Sequence, residues 1–208
     1  MRIVGGIWRG RAIKAPEGRD TRPTTDRIRE SVASIVLSDL GDLGDVAVLD
    51  AFGGSGALAF EMLSRGARSA TVCDADPRAV RCIRENAEHL GVSAPSLRVL
   101  KGDVLALARR GRMGGAPFGL VLLDPPYAMD AQAVSGLIDD LAASGSLAPG
   151  ALVVYERDVR SPQLSCPALV PARCRTYGTT AVDTLHYDPE APAGEPSAGG
   201  AGTTEEER

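Results

Sequence analysis

The chain has 208 residues, 44% of them hydrophobic and 24% charged, with a formal net charge of -4, a balance that suits one globular domain with a sizeable core. No apolar run reaches the length of a membrane span and the start lacks the apolar segment of a secretion signal, so a cytoplasmic protein without membrane contact is expected. Four cysteines without C-x-x-C spacing and only two histidines argue against a zinc centre, a disulfide framework and Ser-His-Asp or Cys-His catalysis, and no metal is expected.

The charge is unevenly divided along the chain. Residues 1–30 carry eight basic side chains against four acidic ones, whereas residues 188–208 carry six acidic side chains against Arg208. The chain opens with short apolar pieces separated by glycines, from Arg2 to Lys14, which reads as a small β-hairpin or an irregular ribbon. Arg9 and Arg11 within it suit either a solvated arm or one that grips phosphates, with Trp8 available to stack or pack. The segment Thr21 to Glu30 then leads into a helix, where Ile28, Val32, Ile35 and Val36 recur at amphipathic spacing. Arg22, Arg27 and Arg29 stand at its start.

From residue 46 the pattern becomes an alternating β/α array. Residues 46–49 form a strand, followed by the turn Asp50-Ala51-Phe52-Gly53-Gly54-Ser55-Gly56 and a helix over residues 57–65. Glycines let a backbone approach a ligand, and a helix N-terminus offers unpaired N–H groups. Gly54-x-Gly56-x-x-Ala59 fits the dinucleotide fingerprint, which keeps an NAD(P)-binding oxidoreductase in view. Asp50 points elsewhere, because a carboxylate at the strand mouth opposes a pyrophosphate and favours a cationic ligand such as S-adenosylmethionine. A second strand over 70–73 ends at Asp74, placed to accept from ribose hydroxyls. Asp76 and Pro77 start the next helix as cap and first residue. A third strand over 97–101 ends near Asp103, which suits an adenine amino group or the cap of a short helix; three strands each ending in a carboxylate favour the former.

The apolar run 118–123 is a buried strand, and Asp124-Pro125-Pro126-Tyr127 follows at its carboxyl end, where open α/β sheets bind ligands. Two prolines fix φ and remove backbone donors, so the turn presents carbonyl oxygens beside the Asp124 carboxylate. Such acceptors suit a planar exocyclic amine: if Asp124 and the Pro125 carbonyl accept its hydrogens, its lone pair leaves the ring system and becomes nucleophilic. Tyr127 offers a face for base stacking. A helix around Val134 to Leu141, a strand over 151–156, and a closing hairpin over 173–177 and 181–187 complete the pattern; disorder is expected from 188 onward.

Together, Arg-Pro-Thr-Thr-Asp-Arg-Ile-Arg-Glu at 22–30, Leu-Asp-Ala-Phe-Gly-Gly-Ser-Gly-Ala-Leu at 49–58, Leu-Ser-Arg-Gly-Ala at 63–67 and Asp-Pro-Pro-Tyr at 124–127 closely resemble the RsmD family of bacterial 16S rRNA guanine-N2 methyltransferases. The family usually has alanine where Gly53 stands. The resemblance implies a class I S-adenosylmethionine-dependent methyltransferase, an α/β Rossmann-like fold with a seven-stranded, mostly parallel sheet ending in an antiparallel hairpin. It implies a basic N-terminal extension over 1–24 and a methyltransferase domain over 25–187, and leaves the acidic tail over 188–208 outside. Asp124, Pro125, Pro126 and Tyr127 would carry the chemistry. Asp50, Phe52, Gly54, Ser55, Gly56, Asp74 and Asp103 would hold S-adenosylmethionine; Arg9, Arg11, Arg22 and Arg27 would meet 16S rRNA or the assembling small subunit, by a protein taken as a monomer. Adenine-N6 or cytosine-N4 methylation of DNA or RNA is the nearest alternative.

Overall fold

The computed structural model describes residues 1–16, 26–126 and 128–191. The central sheet is built from β1 (Ala47–Asp50), β2 (Ser69–Asp74), β3 (Leu97–Lys101), β4 (Phe118–Leu123), β5 (Leu147–Asp158), β6 (Leu169–Tyr177) and β7 (Thr180–Tyr187). Its strand order is β3-β2-β1-β4-β5-β7-β6. The first five strands run parallel, and β7 pairs antiparallel with both β5 and β6. This is the class I methyltransferase fold that the resemblance implies. Chain order runs one way from β1 to β3 and the other way from β4 onward, so the switch point lies between β1 and β4. A ligand crevice forms where their carboxyl ends diverge.

The connecting helices are α1 (Asp26–Leu40), α2 (Ala57–Ser64), α3 (Pro77–Leu90), α4 (Val104–Arg109) and α5 (Ala131–Ala143). Successive strand side chains point to opposite faces, and each face has its own apolar core. Val48, Leu120, Leu122 and Val154 pack with α1, α2 and α3, while Leu49, Val121, Leu123 and Val153 pack with α4 and α5. Covering on both faces explains why the central strands read as unbroken apolar runs rather than alternating ones. β5 is longer than its apolar run 151–156 because it begins at Leu147, where a register irregularity between Phe118 and Leu120 admits the extra residues. At the far edge, β6 carries a similar irregularity between Pro171 and Arg173. Among the described residues no helix is long and apolar enough to cross a membrane.

The N-terminal segment is a ribbon rather than a full hairpin. One antiparallel bridge joins Arg2 to Ala12, and a 3-10 turn over Gly6–Trp8 closes it. Ile3 and Ile13 are buried in the core beneath. At Gly6, with φ +77°, a Cβ would lie 1.9 Å from the Ser64 carbonyl oxygen, so only glycine lets the ribbon sit this close to the end of α2.

A buried carboxylate fixes that packing. Glu61 of α2 has no solvent exposure and accepts from the Val4 N–H at 2.6 Å and from Arg29 Nη1 at 3.3 Å. Arg65 also donates to it. Arg29, 1% exposed, donates further to the Arg2 carbonyl at 2.9 Å and to Asp26. Ribbon, α1 and α2 therefore meet on one charge. Removing a single member of a buried ion pair leaves the other uncompensated. Glu61→Ala is expected to lower unfolding stability by about 3–5 kcal/mol, and urea denaturation with Glu61→Gln as the milder comparison checks this.

Candidate active site

Asp50 ends β1 at the switch point and is 2% exposed. Its carboxylate accepts from the Ala59 N–H of α2 at 3.3 Å. Burial pushes its pKa up to about 7, and the charges of Asp124 and Asp74 push the same way; the Ala59 and Phe52 N–H groups oppose the rise. The mouth of the crevice therefore carries a carboxylate poised near neutrality, and a cation placed there would stabilise its charged form.

The glycine turn follows. Gly53 N–H bonds the Cys73 carbonyl at 2.8 Å, and Gly56 N–H bonds the Gly53 carbonyl at 2.6 Å. A Cβ at position 53 would lie 2.3 Å from Val72 Cγ1, so the turn packs too tightly on β2 to admit a side chain there without a shift of Val72. Gly54 is different. It has φ +54°, and nothing lies within 4 Å of where its Cβ would be, which leaves the rim of the turn open to a ligand. Gly56 is the N-cap of α2 and provides no side-chain cap. Phe52 is half-buried and Ser55 buried within the same turn.

The other strand-end carboxylates have structural tasks. Asp74, 6% exposed, accepts from Gly54 N–H and Asp76 N–H, each at 2.8 Å, and so braces the turn from β2. Asp76 caps α3 through the Arg78 N–H at 2.8 Å, with Pro77 first in the helix, as expected. Asp103 is exposed and caps α4 through the Leu105 N–H, which Oδ1 accepts at 3.0 Å.

Across the crevice, Asp124 and Pro125 follow β4 and are half-buried, with Pro126 exposed. The Pro126 carbonyl accepts from the Met129 N–H at 2.8 Å, which curls the turn toward α5. Tyr127 lies outside the described residues. A shallow open pocket adjoins the turn, lined by Asp124, Pro125, Pro126, Met129, Tyr155 and Glu156 among others. Leu123 pairs with Tyr155, so the residues after each, Asp124 and Glu156, stand side by side where β4 ends. The carboxylate of Asp183 takes two bonds from Arg157, at 2.6 and 3.3 Å. Arg157 also donates to the Ser161 carbonyl at 2.8 Å, securing the loop that forms the pocket's far wall. Tyr155, Glu156 and Arg157 had no signature of their own in the sequence. Their place at the mouth of the fifth strand was the available signal.

The basic residues divide. Arg9 and Arg27 are exposed. Arg11 donates to the carbonyls of Leu90, at 3.0 Å, and His89, so its guanidinium neutralises the end of α3. Arg22 lies outside the described residues. Among the described residues no group of three or more histidine, cysteine or acidic side chains could hold a metal ion.

The family model described as conserved hypothetical protein 95 matches residues 1–186. The ribosomal RNA small subunit methyltransferase D of Escherichia coli K12 is 34% identical over 173 residues, 81% of this chain and 80% of that protein. The protein of the same name from Haemophilus influenzae is 29% identical over 167 residues, 79% and 82% of the two chains. The solved structure of yhhF from Escherichia coli superposes with a TM-score of 0.76 at 31% identity, covering 90% of this chain and 98% of that one. With the Asp-Pro-Pro turn and the glycine turn facing one crevice, this chain belongs to the RsmD family of S-adenosylmethionine-dependent methyltransferases.

Proposed function

We propose that this protein transfers a methyl group from S-adenosylmethionine to the exocyclic N2 of a guanine in small-subunit rRNA. The observation that carries the reading is the position of Asp124-Pro125-Pro126 at the end of β4, across the switch point from Asp50 and the glycine turn. Similarity to small subunit rRNA methyltransferases over four-fifths of the chain supports the choice of substrate.

The residues present fit the cofactor. Gly54 leaves an open rim, Gly56 places no side-chain cap on the first turn of α2, and Asp50 offers a buried carboxylate that a cation would favour and a pyrophosphate would not. Phe52, Ser55, Asp74 and Asp103 complete the set, with Asp74 taken as the ribose acceptor and Asp103 as the adenine acceptor. S-adenosylmethionine, when bound, supplies a sulfonium-activated methyl. Asp124 and the Pro125 carbonyl accept hydrogen bonds from the two amine N–H groups, which frees the nitrogen lone pair from conjugation with the ring, and the Asp124 carboxylate is placed to take the proton that the nitrogen sheds on methylation. Pro125 and Pro126 add no competing N–H donors. Tyr127 stacks on the extruded base. The turn acts mainly by orientation, and misplacement by about 1 Å can cost on the order of 10²-fold in rate. Arg9, Arg22 and Arg27 grip the RNA backbone, while Arg11 holds the ribbon on which Arg9 sits.

Asp124→Ala is expected to retain binding of S-adenosylhomocysteine and to lose about 10²-fold or more in methyl transfer, measured by calorimetry and by radiolabel incorporation into rRNA. Mass spectrometry of the product nucleosides should show N2-methylguanosine; methylated adenine or cytosine would move the protein to another amino-methyltransferase class. Because the folded pKa of Asp50 lies above its value of 3.8, its contribution to stability is present below about pH 4 and is lost as pH rises through about 7. Asp50→Asn should therefore raise the melting temperature at pH 8 but not at pH 4. It should also flatten the rise of S-adenosylmethionine affinity with pH, read by calorimetry. Replacing Arg9 and Arg27 together by alanine should reduce the salt dependence of RNA binding by about one unit of slope per lost phosphate contact; filter binding across a salt series checks it.

A further inference from the structure

Asn86 lies in α3 with 1% exposure, away from the proposed chemistry, yet its amide is bonded to two distant segments. Oδ1 accepts from the Lys14 N–H at 2.8 Å, and Nδ2 donates to the Lys14 carbonyl and to the Ser55 carbonyl, each at 3.0 Å. The amide orientation follows from chemistry: turned over, it would set an NH₂ against the Lys14 N–H and an oxygen against two carbonyls. Lys14 belongs to the N-terminal ribbon, and Ser55 is the centre of the glycine turn. The ribbon touches the same turn a second time, where Ser55 Oγ donates to Met1 Sδ at 3.4 Å. On its other side the turn is braced by Asp74 through the Gly54 N–H.

Ribbon and turn are therefore joined through one planar group whose rotamer is fixed by these bonds and by a longer one from Nδ2 to Cys82 Sγ at 3.5 Å. No long flexible side chain intervenes. A displacement of the ribbon at Lys14 must either move the Ser55 carbonyl or leave a buried amide group unpaired, at a free-energy cost. We propose that Asn86 is a positioning residue that couples the RNA-facing ribbon to the cofactor turn, so that occupation of either raises the affinity of the other. Such coupling is reciprocal by thermodynamic necessity. The inference rests on the glycine turn being the S-adenosylmethionine site and on the ribbon meeting RNA.

The test uses the full chain and S-adenosylhomocysteine, with and without a small-subunit rRNA fragment, in calorimetry. In the wild type the RNA should tighten S-adenosylhomocysteine binding by about fivefold or more. Asn86→Asp keeps the acceptor for Lys14 but turns a carboxylate toward two carbonyls; it should weaken S-adenosylhomocysteine about tenfold without RNA and abolish the RNA effect. Glu85→Ala, which breaks only the exposed ion pair to Lys14 on the same helix, should leave both unchanged. If the wild type fails to bind S-adenosylhomocysteine, the cofactor reading falls. If it binds and Asn86→Asp matches it in affinity and in RNA response, the coupling alone is overturned. Hydrogen exchange on the wild type gives a measurement independent of whether the variant folds: S-adenosylhomocysteine should slow exchange of the amides at 13–14, and unchanged exchange there would overturn the coupling.

Discussion

Placing the Asp50 carboxylate at the end of β1, almost without solvent, is the constraint on which the crevice depends. Asp74 ends the neighbouring strand and Asp124 follows β4 on the other side, so three like charges converge where the sheet changes direction. The fold tolerates this by spending backbone N–H groups on them: Ala59 on Asp50, and Gly54 and Asp76 on Asp74. The glycine turn is consequently shaped by the carboxylates as much as by any ligand. A cation entering the crevice relieves the repulsion, whereas an anion compounds it. Asp50 thus weighs against a dinucleotide in a turn whose glycine spacing alone would admit one.

The second organising element is the N-terminal ribbon, which is bound to the domain by polar contacts that converge on α2 and α3. Glu61 and Ser64 hold it at one end, Asn86 and the last carbonyls of α3 at the other. Arg9 is left on the surface by this arrangement, while Arg11 is consumed by it. Two arginines separated by one residue thus have different work, one turned to solvent and the other to a helix end.

Much of the architecture was legible from periodicity. The apolar runs at 46–49, 70–73 and 118–123 became β1, β2 and β4, because strands covered on both faces have no polar side to confuse the pattern. Asp76 and Pro77 announced the start of α3 through local chemistry alone. What depended on tertiary contact was less accessible. The capping role of Asp103 and its ligand role draw on the same residue type at the same place. The tie from Arg11 to α3 spans 78 or more positions and has no local signature. The Tyr155 and Glu156 wall of the pocket needed the β4–β5 register, which a register irregularity near Leu147 makes hard to count from sequence.

The cluster around Glu61 has a consequence for how such a chain can change over generations. Arg29, Glu61 and Arg65 form one electrostatic unit, so the effect of replacing any one is conditional on the other two, and their substitutions are epistatic rather than additive. The ribbon joins that unit through the Val4 N–H and the Arg2 carbonyl. Main-chain groups are supplied by nearly every residue type. The side chains at positions 2 and 4 are therefore at liberty to drift as far as this contact is concerned, with proline at position 4 excluded because it would withdraw the N–H from a buried charge.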